Sequence, residues 1–107
     1  MVVVGSKSHR SRNDESYIKK LNVKDFISAH SSIKFCLIAE GVADIYPRFG
    51  PTMEWDIAAG QAILLAAGGR VIDAFSGDDF IYNKPEFRNG AFIAYGGIDQ
   101  KPPLASK

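Results

Sequence analysis

The stretch PTMEWDIAAGQAIL, residues 51–64, places Asp56 directly behind the only tryptophan and ahead of an apolar run. From the tryptophan onward, the run predicts a helix over residues 55–67, which Gly68 and Gly69 end. The helix is apolar on nearly every face, so we expect it to be buried on more than one side. Other segments of the fold must supply the surfaces that cover it.

Strand-like and helix-like segments alternate on both sides of this helix. Residues 47–52, with a proline before and after Arg48, predict a stiff loop. Strands that alternate with helices indicate an α/β or layered α+β domain, in which a central β-sheet is flanked by helices. We expect one domain over residues 1–100 and a flexible tail over 101–107. The predicted strands are 2–4, 23–27, 42–46, 70–75 and 91–95, and the other predicted helices are 14–21 and 33–40.

The composition is that of one small globular domain, with 107 residues of which 46% are hydrophobic and 23% charged. A formal net charge of +1 provides no field for binding a nucleic-acid polymer, and no apolar stretch has the length of a membrane span. One cysteine cannot form an internal disulfide, and with two histidines it does not make a zinc pattern. The chain is therefore expected in the reducing cytoplasm.

Asp56 allows two interpretations. As a first-turn residue it satisfies free backbone N–H groups, and the residues alone favour this role. In the alternative, the small residues after it let a ligand approach, and the carboxylate binds a hard cation such as Mg²⁺, which prefers oxygen ligands. One carboxylate does not make a metal site by itself.

Four further side chains are candidates for binding an anion. Arg48, held in the proline-flanked loop, is suited to bidentate phosphate contact. Ser31 comes three residues before Lys34, so both can share one face at a helix start, where free N–H groups also bind anions. His9 follows the first strand, at an edge where ligands of α/β sheets collect. A solvated, structural role is the alternative for each.

These segments together resemble one known family. Residues 31–69, SSIKFCLIAEGVADIYPRFGPTMEWDIAAGQAILLAAGG, resemble the C-terminal half of the inositol monophosphatase superfamily, whose signature is WDIAAG followed by AAGG. The segments GSKSH, ADIYPRFGPT and YNK are similar to its 3'(2'),5'-bisphosphate nucleotidase branch of CysQ type. The resemblance implies the C-terminal half of the inositol monophosphatase-like sugar phosphatase fold.

The resemblance also implies an activity, a cofactor and a site. The activity is that of a Mg²⁺-dependent phosphomonoesterase, which removes the 3'-phosphate of adenosine 3',5'-bisphosphate, a by-product of sulfate assimilation. Asp56 is then a Mg²⁺ ligand at the start of the helix and part of the substrate site. The other implied nucleotide and phosphate contacts are His9, Ser31, Lys34 and Arg48.

The sequence departs from this family in one respect. Similar enzymes carry a metal-binding glutamate and a D-P-[IL]-D-G-T motif in an N-terminal half, and neither the motif nor that half is present here. Residues 1–100 thus resemble the C-terminal domain alone, and we expect it to be inactive by itself. Apolar surface left by the missing domain is expected to favour a partner or self-association. The family resemblance further allows a peripheral location at the inner membrane.

Two other functions stay open. One is a nucleotide- or phosphate-binding module without catalysis. The other is a phosphatase of the same superfamily that acts on inositol phosphate or fructose bisphosphate. Arg48 within YPRFGPT and the segment GSKSH favour the nucleotide branch over the latter.

Overall fold

A five-stranded mixed sheet with helices on both faces forms the body of the structure, a computed structural model. This architecture confirms the predicted layered α/β class. The structure describes residues 2–5, 12–21, 23–29, 33–49, 52–79, 88–96 and 102–105. The strands are β1 (Val2–Gly5), β2 (Asp25–Ser28), β3 (Ile45–Arg48), β4 (Thr52–Met53), β5 (Arg70–Asp73), β6 (Arg88–Asn89) and β7 (Phe92–Tyr95); the helices are α1 (Arg12–Lys19), α2 (Ile33–Ala39) and α3 (Glu54–Ala66).

The strand order in the large sheet is β2-β1-β3-β7-β5, and β4 pairs separately with β6. Strands β2, β1 and β3 run parallel, whereas β7 is antiparallel to both of its neighbours. Because β1 and β3 are adjacent and parallel, their carboxyl ends lie at the same edge of the sheet. That is the edge at which α/β proteins collect ligands.

Alternation along the strands divides the core between the two faces of the sheet. Val3 and Ile45 belong to the cluster that includes Tyr17 of α1. Their neighbours Val4 and Tyr46 belong to the opposite cluster, which α2 and α3 cover. Each face therefore has its own apolar core, and the sheet is buried on both sides.

Strand β3 begins later than the sequence predicts, because the residues after α2 are used to end that helix. Gly41 adopts a positive φ of 82°, and the N–H groups of Val42 and Ala43 both donate to the carbonyl of Leu37. This is a glycine-terminated helix end of the Schellman type. Strand β3 therefore begins at Ile45, directly after Asp44, whose N–H donates to the carbonyl of Val2 at 2.8 Å.

The same shift brings Arg48 into the sheet. Pro47 and Arg48 were expected in a loop, but they pair with Ile93 and Phe92 of β7. Pairing of β3 with β1, on its other side, is registered at Ile45, so the missing N–H of proline falls toward the end of that ladder. Arg48 is thus held by a strand rather than by a stiff loop.

Helix α3 agrees with its predicted limits but not with its predicted burial. Ile57 and Leu64 are buried against the sheet, whereas Ile63 and Leu65 are 47% and 52% exposed. The prediction that α3 is buried on more than one side is therefore wrong for the described part of this chain. We call the uncovered side, formed by Ala58, Ala59, Ala62, Ile63, Leu65 and Ala66, the outer face of α3.

Gly60 is the point at which α2 approaches α3. A Cβ atom at this position would lie 2.4 Å from Cδ2 and 2.8 Å from Cγ of Phe35. The Phe35 ring cannot easily move away, because it packs between Tyr46 and Phe92 at centroid distances of 5.5 and 6.1 Å. Gly60 is therefore required by close packing and not by an unusual backbone angle.

We expect Gly60→Ala to lower the melting temperature by about 5–10 °C. Overpacking of a filled core costs about 1–3 kcal/mol, which outweighs the roughly 1 kcal/mol that alanine gains over glycine in a helix. Thermal unfolding followed by circular dichroism measures the change. Gly90→Ala is the control, since nothing lies within 4 Å of a Cβ there. Equal melting temperatures for the two variants would contradict the packing argument.

Residues 102–105 lie against the sheet, although the sequence predicts a flexible tail over 101–107. The Tyr17 hydroxyl donates to the carbonyl of Pro103, and the N–H of Ala105 donates to the carbonyl of Ala74 at 2.8 Å. The tail thereby joins α1 to the end of β5. None of the described helices combines the length and hydropathy needed to cross a bilayer.

Candidate anion-binding site

Two cationic side chains meet at the carboxyl end of β3. Tyr46 and Arg48 are two residues apart on the strand, so both point to the face covered by α2. Lys34, in the first turn of α2, reaches the same hydroxyl: its Nζ lies 3.5 Å from Tyr46 Oη, as does Nη1 of Arg48. We call Lys34, Tyr46 and Arg48 the cationic cluster.

Lys34 is the most deeply buried charged side chain of the cluster, with only 2% of its surface exposed. Its pKa is lowered to about 8, mainly by burial and also by the nearby Arg48 charge, while the Asp14 charge opposes both effects. Its Nζ also lies 5.0 Å from the centroid of the Tyr46 ring, in a cation–π arrangement. At neutral pH the site therefore holds two positive charges that repel each other in a poorly hydrated setting.

Asp14 supplies negative charge from the opposite face of the sheet. It lies in the first turn of α1, is 5% exposed, and its Oδ1 accepts the backbone N–H of Phe49 at 2.6 Å. Because Phe49 directly follows Arg48, this hydrogen bond fixes the backbone at the end of β3, next to the residue that carries the guanidinium. Asp14 thus holds the backbone beside the site in place, and its negative charge partly offsets the positive charge of the cationic cluster.

The guanidinium of Arg48 carries a donor that is not satisfied. Its Nε is buried and has no hydrogen-bond partner within the described residues. A buried N–H without an acceptor is costly, and in native proteins such a group commonly awaits an ion, a water molecule or a ligand. Two cations with a spare buried donor fit an oxyanion such as phosphate, which the planar fork of arginine binds through paired hydrogen bonds.

The structure brings together two of the five predicted site residues, Lys34 and Arg48. Asp56 lies in the first turn of α3, one helical turn before Gly60, but its side chain is outside the described part. His9 and Ser31 also lie outside the described residues. Strand β1 ends with Gly5 at the edge where β3 ends with Arg48.

The described residues do not form a metal site by themselves. No three His, Cys, Asp or Glu side chains among them converge on a point that could hold an ion. A magnesium site normally needs several oxygen ligands with near-octahedral geometry. The donor set that the structure describes therefore fits an anion and not, without further carboxylates, a divalent cation.

Sequence reasoning missed two members of this site. Tyr46 precedes Arg48 by two residues, and strand periodicity would have placed both on one face had β3 been extended to Arg48. Asp14 begins the helix predicted over residues 14–21, and nothing local indicates that it reaches Phe49, 35 residues away. The role of Tyr46 could thus have been found from strand periodicity, whereas no sequence pattern indicated the role of Asp14.

Comparison with known proteins gives a consistent result. The chain is 44% identical over 96 residues to the 3'(2'),5'-bisphosphate nucleotidase CysQ of Buchnera aphidicola subsp. Acyrthosiphon pisum, which covers 87% of this chain and 36% of that protein. It is 51% identical over 72 residues to the CysQ of Salmonella typhimurium, covering 67% of this chain and 29% of that protein.

Among solved structures, CysQ from Bacteroides thetaiotaomicron, a bacterial member of the inositol monophosphatase family, is 48% identical with a TM-score of 0.83. That match covers 90% of this chain and 37% of the other. The chain thus spans roughly a third of the length of these three relatives. The pattern of the family named Inositol monophosphatase family matches residues 1–99, and the chain belongs to that family.

Proposed function

We propose that this chain is the nucleotide-binding part of a 3'(2'),5'-bisphosphate nucleotidase, which releases the 3'-phosphate of adenosine 3',5'-bisphosphate. One observation carries the proposal: Lys34 and Arg48 converge on Tyr46 while the buried Nε of Arg48 lacks an acceptor among the described residues. The relatives named 3'(2'),5'-bisphosphate nucleotidase support the choice of substrate.

In this proposal the cationic cluster binds and orients a phosphate group. Lys34 contributes a compact charge, and Arg48 contributes a planar fork that fixes the direction of the bound oxyanion. His9 and Ser31 add contacts from the neighbouring loops. Holding the phosphate at a fixed angle is itself a contribution to catalysis, because it restricts the orientations from which the ester can react.

Mg²⁺ enters the proposal through Asp56, which contributes one oxygen ligand from the start of α3. The described residues do not complete a site, so in this proposal the other ligands are carboxylates of the assembled enzyme that lie beyond them. Mg²⁺ bound there would neutralise the developing charge of the reacting phosphate. In this proposal Asp56 has two roles, as a helix cap in the chain alone and as a metal ligand in the assembled enzyme. A cytoplasmic location of this enzyme belongs to the same proposal.

Calorimetric titration with adenosine 3',5'-bisphosphate tests the proposed function. We expect saturable binding by the purified chain in a metal-free buffer and tighter binding when Mg²⁺ is present, because a cation held by Asp56 would offset the negative charge of the ligand. Inositol 1-phosphate and fructose 1,6-bisphosphate are the comparison ligands. Preferential binding of either one would favour another substrate class of the same family.

A non-catalytic binding module is the second candidate, and the incomplete metal site of the described residues favours it. The two candidates differ in their response to Asp56→Ala. In a nucleotidase domain this substitution removes the effect of Mg²⁺ on binding, whereas in a module binding is independent of metal and unchanged by the substitution.

The outer face of α3 is proposed as the surface that the rest of the enzyme covers, or that a second copy covers when the rest is absent. It presents Ile63 and Leu65, each about half exposed, among alanines. An apolar patch on a small domain commonly marks an interaction surface. The part of the relatives that lies beyond their match to this chain is therefore the partner expected there.

We expect the isolated chain to self-associate as its concentration rises, and sedimentation velocity measures this directly. The paired substitution Ile63→Glu and Leu65→Lys places opposite charges on the outer face and should yield a monomer. Ile33→Glu is the matched control, because Ile33 is 55% exposed but lies on α2. A wild-type chain that stays monomeric at high concentration would contradict the proposal that the outer face of α3 is an interaction surface.

A further inference from the structure

We infer that Tyr46 is a positioning residue, whose hydroxyl holds Lys34 and Arg48 side by side in the geometry that an oxyanion requires. The identity of the oxyanion rests on the proposed function. The geometry of the two cations rests only on contacts within the chain. Neither the sequence motifs nor the comparisons assign a role to this tyrosine.

The need for such a residue follows from the chemistry of the two cations. Lysine and arginine side chains only donate hydrogen bonds, so they cannot bind each other, and their charges repel. A hydroxyl can accept from both, and Tyr46 Oη lies 3.5 Å from Lys34 Nζ and from Arg48 Nη1. The shared acceptor keeps the cations close without cancelling their charge.

The hydroxyl must stay protonated to act in this way. Burial raises the pKa of Tyr46, and although the hydrogen bond and charge of Arg48 lower it, the net direction is upward from 10.0. The group is therefore neutral near pH 7. A carboxylate in the same place would pair with the cations and compete with an incoming phosphate, whereas a neutral oxygen leaves their charge available.

The aromatic ring fixes where this hydroxyl lies. Tyr46 is 4% exposed and meets Phe35 and Phe92 edge to face, at centroid distances of 5.5 and 5.3 Å. Both partners belong to the same apolar core. The ring cannot turn without disturbing that core, so the hydroxyl is a fixed point against which two flexible side chains are aligned.

Tyr46→Phe isolates the role of the hydroxyl, since phenylalanine keeps the ring contacts. Tyr95→Phe is the matched control: Tyr95 is also 4% exposed, lies on the neighbouring strand β7, and its hydroxyl hydrogen-bonds an arginine, Arg70. It faces the opposite core, away from the cationic cluster. Any general effect of removing a buried hydroxyl should be the same in both variants.

The first measurement uses the full chain without ligand and follows the side-chain amine of Lys34 by NMR as the pH is raised. The wild-type pKa is about 8. Loss of an acceptor that favours the charged amine should lower it by roughly half a unit or more in Tyr46→Phe and leave it unchanged in Tyr95→Phe. An unchanged Lys34 pKa in Tyr46→Phe, or an equal shift in the two variants, would overturn the inference.

The second measurement is the affinity for adenosine 3',5'-bisphosphate, which should weaken about tenfold in Tyr46→Phe and not in Tyr95→Phe. An undiminished affinity in Tyr46→Phe contradicts the positioning role even if the pKa shifts. If the wild-type chain does not bind the nucleotide, the proposed function fails, and the ligand-free titration still decides whether Tyr46 organises the two cations.

Discussion

The isolated 107-residue chain is expected to release phosphate from adenosine 3',5'-bisphosphate no faster than buffer containing Mg²⁺ does. Its described residues bring two cations together but do not complete a metal site. The metal ions of such phosphatases stabilise the reacting oxygens by several kcal/mol, and each 1.4 kcal/mol corresponds to about a tenfold change in rate. The deficit relative to an intact enzyme should therefore exceed about a thousandfold.

A malachite-green assay for released phosphate measures this rate, with the intact Bacteroides thetaiotaomicron relative as the positive control. Addition of the remaining part of that relative, expressed separately, should restore activity if the two pieces assemble. Asp56→Asn in this chain should then abolish the restored activity. Turnover by the isolated chain at rates comparable to those of the intact relative would show that the metal site is complete without a second domain.

Arg48→Met is expected to weaken the binding of adenosine 3',5'-bisphosphate by about a hundredfold. Arginine contributes paired hydrogen bonds to a phosphate, and hydrogen bonds to charged groups are each worth about 1.5–3 kcal/mol. The substitution also removes a buried donor that lacks a partner among the described residues. Stability should therefore stay the same or rise while affinity falls.

Calorimetry gives the affinity, and thermal unfolding gives the stability. Arg48→Lys separates charge from geometry, since lysine keeps the positive charge but lacks the planar fork. Its affinity for the nucleotide should fall between those of wild type and Arg48→Met. Arg70→Met is the control, because Arg70 is an exposed arginine that pairs with Asp79 at the edge of the sheet. Equal affinity of the Arg48→Met and Arg70→Met variants would show that the phosphate does not bind at Arg48.

Local patterns predict most of the elements of this fold. The apolar run after the tryptophan predicts α3 to within one residue at each end, and Gly41 and Gly68 stand where α2 and α3 end, both with positive φ. The limits of β3 were predicted less well, because hydrogen bonds back to Leu37 delay its start. A helix end that extends over several residues has no signal in hydrophobic periodicity.

The site itself was predictable only in part. Lys34 was a candidate because of its position near a helix start, but its burial depends on Tyr46 and Arg48, which arrive from a strand. The hydrogen bond between Asp14 and Phe49 was not predictable, because it joins two segments 35 residues apart and no local sequence pattern relates them. Contacts of this kind follow from the packing of complete elements.

Residues 102–105, which join α1 to the end of β5, are linked to the cationic cluster through α1, because that helix carries both Tyr17 and Asp14. If this segment were displaced, the Tyr17 hydroxyl would lose its hydrogen bond to Pro103. The Ala74 carbonyl would lose its donor, the N–H of Ala105. Substitutions that detach residues 102–105 are therefore expected to loosen α1 and, with it, the Asp14 hydrogen bond that holds Phe49 beside Arg48.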